Sequence, residues 1–212
     1  MNRRMSFATT AAALALVLVL ALVATACGGA KIKAGSRPAL LLPQLSALQT
    51  SVHTGQELTY AVVLLQSTSD SPVTIRNVEF TAPEGIGDVL KPVEVDIARL
   101  DPKVLWPVHL WSSFPPTGKV EGKCREQQLE PAEGAVIPPH EGARLVVLFR
   151  AVKPGDFYLG GQRVTYSDGG EPGAITLPNH FLGTVSETAT GEDLHPDPIE
   201  TACRQLGNLL PG

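Results

Sequence analysis

Four side chains able to hold a divalent cation fall within six residues of one another: Glu192, Asp193, His195 and Asp197. Carboxylate oxygens and an imidazole nitrogen suit calcium or zinc. Pro196 and Pro198 stiffen the backbone that would have to wrap the ion, and Asp197 stands where a helix cap is required. The group therefore reads as a solvated acidic loop, and no metal residue is assigned. The remaining histidines, His53, His109, His140 and His180, show no pair at two- or four-residue spacing. A histidine centre would need segments distant in sequence to meet. No Gly-x-Ser-x-Gly, His-Glu-x-x-His or phosphate-binding Gly-Lys-Ser/Thr motif occurs, so the sequence implies no cofactor and assigns no catalytic residue. A third cluster is aromatic: His109, Trp111 and Phe114. In an extended segment Trp111 points away from Trp106, which makes these three residues a candidate binding patch for a sugar or protein surface. The alternative packs Trp111 and Phe114 beneath the proline-rich segment that follows them.

The elements that must position these groups read as strands. Gly and Pro supply 38 residues and charged side chains only 18%, a punctuated composition that favours many short strands over long helices. Residues 57–66 (ELTYAVVLLQ) and 144–152 (RLVVLFRAV) are near-continuous apolar runs, as expected for strands buried on both faces. Residues 73–80 alternate Val73 and Ile75 against Thr74 and Arg76, then slip by one so that Val78 and Phe80 resume the apolar phase. Residues 93–98 alternate Val93, Val95 and Ile97 against Glu94 and Asp96, a strand with one wet face. In 104–111 Pro107 removes a ladder donor, which places that segment at a sheet edge with Trp106 in the core. Residues 112–142 are rich in proline and glycine with no clear period and read as a long irregular insertion. Near the C-terminus, Asp197 as cap, Pro198 in the first helical place and Glu200 three after the cap predict a short helix that ends at Gly207.

The first residues are an address rather than a fold. Arg3 and Arg4 precede an uncharged stretch, residues 6–26, that ends in Ala24-Thr25-Ala26-Cys27-Gly28-Gly29: a basic start, an apolar centre and small residues at the exit. The segment resembles bacterial lipoprotein signal peptides, in which the cysteine after the small residues receives a diacylglyceryl group and becomes the first residue after cleavage. That resemblance implies removal of 1–26, lipidation of Cys27, a flexible tether over 27–37 and a location on the extracytoplasmic face of the cell membrane. Two or more acyl chains give a stable attachment where one does not, and ten flexible residues span on the order of 17 Å. The uncharged stretch is also long enough to cross a bilayer uncleaved. If lipid occupies Cys27, the two remaining cysteines, Cys124 and Cys203, form an even pair in an oxidising compartment, which predicts a disulfide between them.

The run from Lys153-Pro154-Gly155-Asp156 through Phe157, Tyr158, Val164, Thr165 and Tyr166 to Asp168-Gly169-Gly170 and the strand 174–185 resembles the last strands of immunoglobulin-like sandwiches. The expectation is all-β: a single immunoglobulin-like β-sandwich over 38–212, preceded by a signal helix and closed by the short C-terminal helix. Arg3 and Arg4 are the only charges before Cys27, so their removal takes the formal net charge from −4 to −6. That disfavours nucleic acid, whose phosphates require concentrated Lys and Arg. The expected role is a non-enzymatic binding or structural module, held to the membrane by lipid and meeting an envelope protein or polysaccharide. The rivals are an envelope hydrolase, with convergent carboxylates or a Ser/His pair in a cleft, and an envelope metal-binding protein.

Overall fold

The computed structural model describes residues 39–41, 47–99, 110–111, 114–120, 123–190, 201, 203 and 209–210. The expected leader, the tether and Trp106 lie outside these. The described residues belong to one unit, Arg37–Gly212. Its strands in chain order are β1 (Leu40–Leu41), β2 (Ala47–His53), β3 (Glu57–Ser67), β4 (Val73–Thr81), β5 (Leu90–Arg99), β6 (Leu110–Trp111), β7 (Thr117–Val120), β8 (Lys123–Glu126), β9 (Leu129–Pro131), β10 (Val136–Ile137), β11 (Gly142–Ala151), β12 (Gly155–Leu159), β13 (Gly161–Asp168), β14 (Glu171–Leu177), β15 (His180–Ser186) and β16 (Leu209–Leu210). Thr201 and Cys203 have helical backbone; the rest of the expected C-terminal helix lies outside the described residues.

The protein is an all-β sandwich. One layer runs β1-β3-β11-β5-β9, with β6 also on the outer side of β3. The other comprises β10-β4-β13-β14 and β12-β15-β2. These last two sheets share one long hairpin. Gly155 faces Val185 and Leu159 faces Phe181, while Gln162 faces Leu177 and Asp168 faces Glu171. The hairpin bends at Gly160 and at Pro178-Asn179, and it turns at Gly169-Gly170, both of which have positive φ. This is the turn, with its two strands, that the sequence made most legible.

The apolar pattern explains the register. Between Leu145 and Val147 the partner on β3 jumps from Val63 to Tyr60, so β3 carries one extra residue, a bulge. Leu58 and Tyr60 before it, and Val63 and Leu65 after it, all reach the core, and the strand reads as a continuous run for that reason. The slip anticipated in 73–80 is a second bulge. Thr165 faces Asn77 and Tyr166 faces Ile75, so the exposed Arg76 is the extra residue between them. A third bulge, between Leu148 and Phe149, skips Val93 and leaves it 46% exposed, where simple alternation would have put it inside.

Phe181 lies at the centre of the core. Its ring stacks on Tyr60 at 4.8 Å and meets Phe157 at 5.0 Å and Phe149 at 5.9 Å. These contacts join β3 and β11 of one layer to β12 and β15 of the other, so the two layers bury a shared aromatic cluster.

Candidate functional site

Residues 112–142, expected to be irregular, contain four short strands, β7 to β10. Each is two to four residues long, too short to show a period. β7, β8 and β16 form a separate small sheet, stapled by the Cys124–Cys203 disulfide with S–S 2.05 Å and Cα–Cα 5.4 Å. The pairing expected from cysteine count is therefore present.

Phe114 and Leu129 of this segment pack on Ala61, Ala98 and Val146. Those three lie on the side of β3, β5 and β11 that faces away from the main core, so the stapled segment covers the outer face of that sheet. Of the candidate patch, Phe114 is thus half-buried against aliphatic side chains. Trp111 contributes backbone on β6 opposite Thr59, at the sheet edge where proline placed its segment, and His109 lies outside the described residues.

The cover changes the chemistry beneath it. Asp96, on a wet-looking position of β5, and Arg144, on β11, are 4% and 3% exposed. Burial holds the Arg144 guanidinium down at about 10. Burial, then the charge of Glu94 and a hydrogen bond with it, push the Asp96 carboxyl up to about 6. A carboxyl raised in this way is a candidate proton donor in general.

The raised value has a consequence for stability. The folded state holds the Asp96 proton more tightly than the unfolded chain does, so this group adds stability below about pH 4 and loses it as pH rises through about 6. Asp96→Asn, which mimics the neutral form, is expected to be more stable than the parent at pH 7.5 by on the order of 2 kcal/mol. The gap should close toward pH 4, as measured by urea unfolding at both pH values. A gap that widens on acidification would refute the assignment.

Three histidines, His53, His140 and His180, fall among the described residues. His140, in the left-handed region at φ +60, places Nε2 3.0 Å from Asp70 Oδ1. The His180 ring stacks on Tyr158 with Nδ1 2.9 Å from its hydroxyl. His53 ends β2, and His195, with the acidic group around it, lies outside the described residues. Among the described residues, no three His, Cys, Asp or Glu side chains are grouped to hold a metal ion.

A second surface escaped sequence analysis. Tyr158 and the exposed His180 and Leu182 share the outward side of β12 and β15, and Leu182 lies directly opposite Tyr158. Beside them runs β2, parallel to β15 over seven residue pairs from His180–Ala47 to Ser186–His53. Its alternation, with Leu48, Thr50 and Val52 against Gln49, Ser51 and His53, was the available signal. Its low apolar content concealed it.

No protein-family model and no curated protein matches the chain. Among solved structures it is similar to the ASH / PapD-like domain of human CEP192 (PapD-like domain 7), with 8% identity and TM-score 0.38 over 76% of this chain and 97% of that one. It is similar also to the cupredoxin domain of amoB from Nitrosocaldus yellowstonii, with 10% identity and TM-score 0.34 over 76% and 97%. A family 123 glycoside hydrolase from Clostridium perfringens aligns with 11% identity and TM-score 0.38 over 69% of this chain but 24% of its own.

Proposed function

We propose that this chain is a bacterial envelope lipoprotein, anchored through lipid on Cys27 to the extracytoplasmic face of the membrane and acting as a non-enzymatic binding or structural module. One observation carries the reading. Cys124 and Cys203 are joined, and the third cysteine stands directly after an apolar leader and small residues. Disulfides persist outside the reducing cytosol, so the joined pair supports export, and it leaves Cys27 as the residue available for acylation. An envelope protein or polysaccharide is the expected partner, and the open side of β12, β15 and β2 is a surface on which it could be met.

The test is the mass of the protein extracted from membranes. It should equal the chain from Cys27 onward plus at least a diacylglyceryl group, and Cys27→Ser should abolish that mass and leave the leader uncleaved. Protein of full length in the cytosol, with Cys124 and Cys203 both reduced, would refute the proposal.

A further inference from the structure

A sheet edge presents unpaired N–H and C=O groups, and proteins ordinarily blunt such edges with proline, charge, bulges or brevity. Among the described residues, the edges of this fold follow that rule with one exception. β1, β6 and β10 are two residues each, and β9 is three and ends on Pro131. Where β5 runs past β9 it carries Lys91, Pro92, the bulge at Val93 and Glu94. β14 opens on Glu171-Pro172, and the outer side of β12 is met by Glu84, whose carbonyl accepts from the Tyr158 amide at 2.7 Å.

β2 has none of these devices. It is seven residues long, pairs with β15 without a register shift, and contains neither proline nor charge. No Lys, Arg, Asp or Glu occurs anywhere between Arg37 and Glu57. Among the described residues, no strand pairs with its other side. In a parallel ladder alternate residues direct both backbone groups to the same neighbour, so the residues between those bonded to β15 aim theirs outward. His53 is already engaged there, its N–H donating to Gln56 Oε1 at 3.2 Å and its C=O accepting from the Gln56 amide at 3.0 Å, so the pairing groups are those of Gln49 and Ser51.

We propose that a second copy of this chain adds its own β2 to that edge, antiparallel about a two-fold axis, so that the two β2-bearing layers join into one sheet. A two-fold interface must be complementary to itself, and this strand is. An axis at Thr50 pairs residues 48–52 and keeps each on its own face. Leu48 meets the partner's Val52 on the core side, and Gln49 meets the partner's Ser51 on the outer side. Apolar residues thus oppose apolar ones and polar oppose polar, with no like charges to repel. Five residue pairs bury less than the roughly 1,000 Å² of a stable interface, so the association is concentration-dependent.

The test uses the full chain in its producing cells, with a photo-activated crosslinking residue in place of Gln49 and two differently tagged copies expressed together. The expected product has twice the mass of the chain and carries both tags. Gln49→Lys with Ser51→Lys sets lysine opposite lysine twice across the axis. With the crosslinker then moved to Thr50, this double variant should give about one-tenth or less of the product obtained at Thr50 in the parent. An unchanged melting temperature would confirm that these outward positions do not hold the monomer together. The proposal is overturned by crosslinking to a different protein, by no adduct at position 49, or by equal yield in the lysine variant. None of these outcomes depends on whether Cys27 carries lipid.

Discussion

Replacing Cys124 and Cys203 by serine is expected to lower the stability of the folded chain by about 4 to 5 kcal/mol, the chain-entropy value for a closed loop of this length. The sequence separation is 79, so opening the loop frees a large part of the unfolded ensemble. The loss is comparable to much of a typical domain's net stability. It should also be uneven. The stapled segment covers Ala61, Ala98 and Val146 through Phe114 and Leu129, so amides of β7 and β8 should lose hydrogen-exchange protection before those of β3 and β11. Denaturant unfolding of the parent and the double variant, with exchange measured on both, reads the two effects. An unchanged midpoint would mean that the staple does not stabilise the sandwich.

Gly183→Ala should be nearly as severe. Gly183 sits within β15, opposite Phe157 on one side and Thr50 on the other. A Cβ there would lie 2.0 Å from the Thr50 carbonyl oxygen and 2.8 Å from Phe157 Cζ. The first contact is with backbone, which cannot rotate away, so β2 must move off β15 or the hairpin must shift. We expect a cost of about 3 kcal/mol or more, the upper range for overpacking a filled site, visible as a lowered thermal midpoint. Because the clash is local, faster exchange at β2 amides should accompany it. Alanine tolerated with an unchanged midpoint would show that β2 is not seated against β15 as described. Loss of β2 would also remove the edge on which self-association depends.

Much of the fold was legible because its signals are local. The slip in 73–80 is a bulge because residue-by-residue alternation records which side chains face the core. The turns at Gly155 and at Gly169-Gly170 were readable because positive φ favours glycine. The site was less legible. Asp96 looked like a wet position of its strand, yet it and Arg144 are 4% and 3% exposed, on the face that Phe114 and Leu129 cover. Cover of that kind comes from chain remote in sequence and leaves no mark on the alternation beneath it. Gln162, alternating inward on β13, is likewise fully buried, and nothing in its neighbours announces it.

Taken alone, the amino-acid sequence determined the all-β class, the two central apolar strands, the C-terminal hairpin and the pair of cysteines free to join if the third carries lipid. Each follows from propensity, period or count within a short window. Only the tertiary structure decided which faces are dry, that the proline-rich segment is a stapled cover rather than an open loop, and that β2 runs parallel to β15 with no described strand on its far side. Burial and edge status are properties of what comes to lie alongside a segment, which no short window of sequence records.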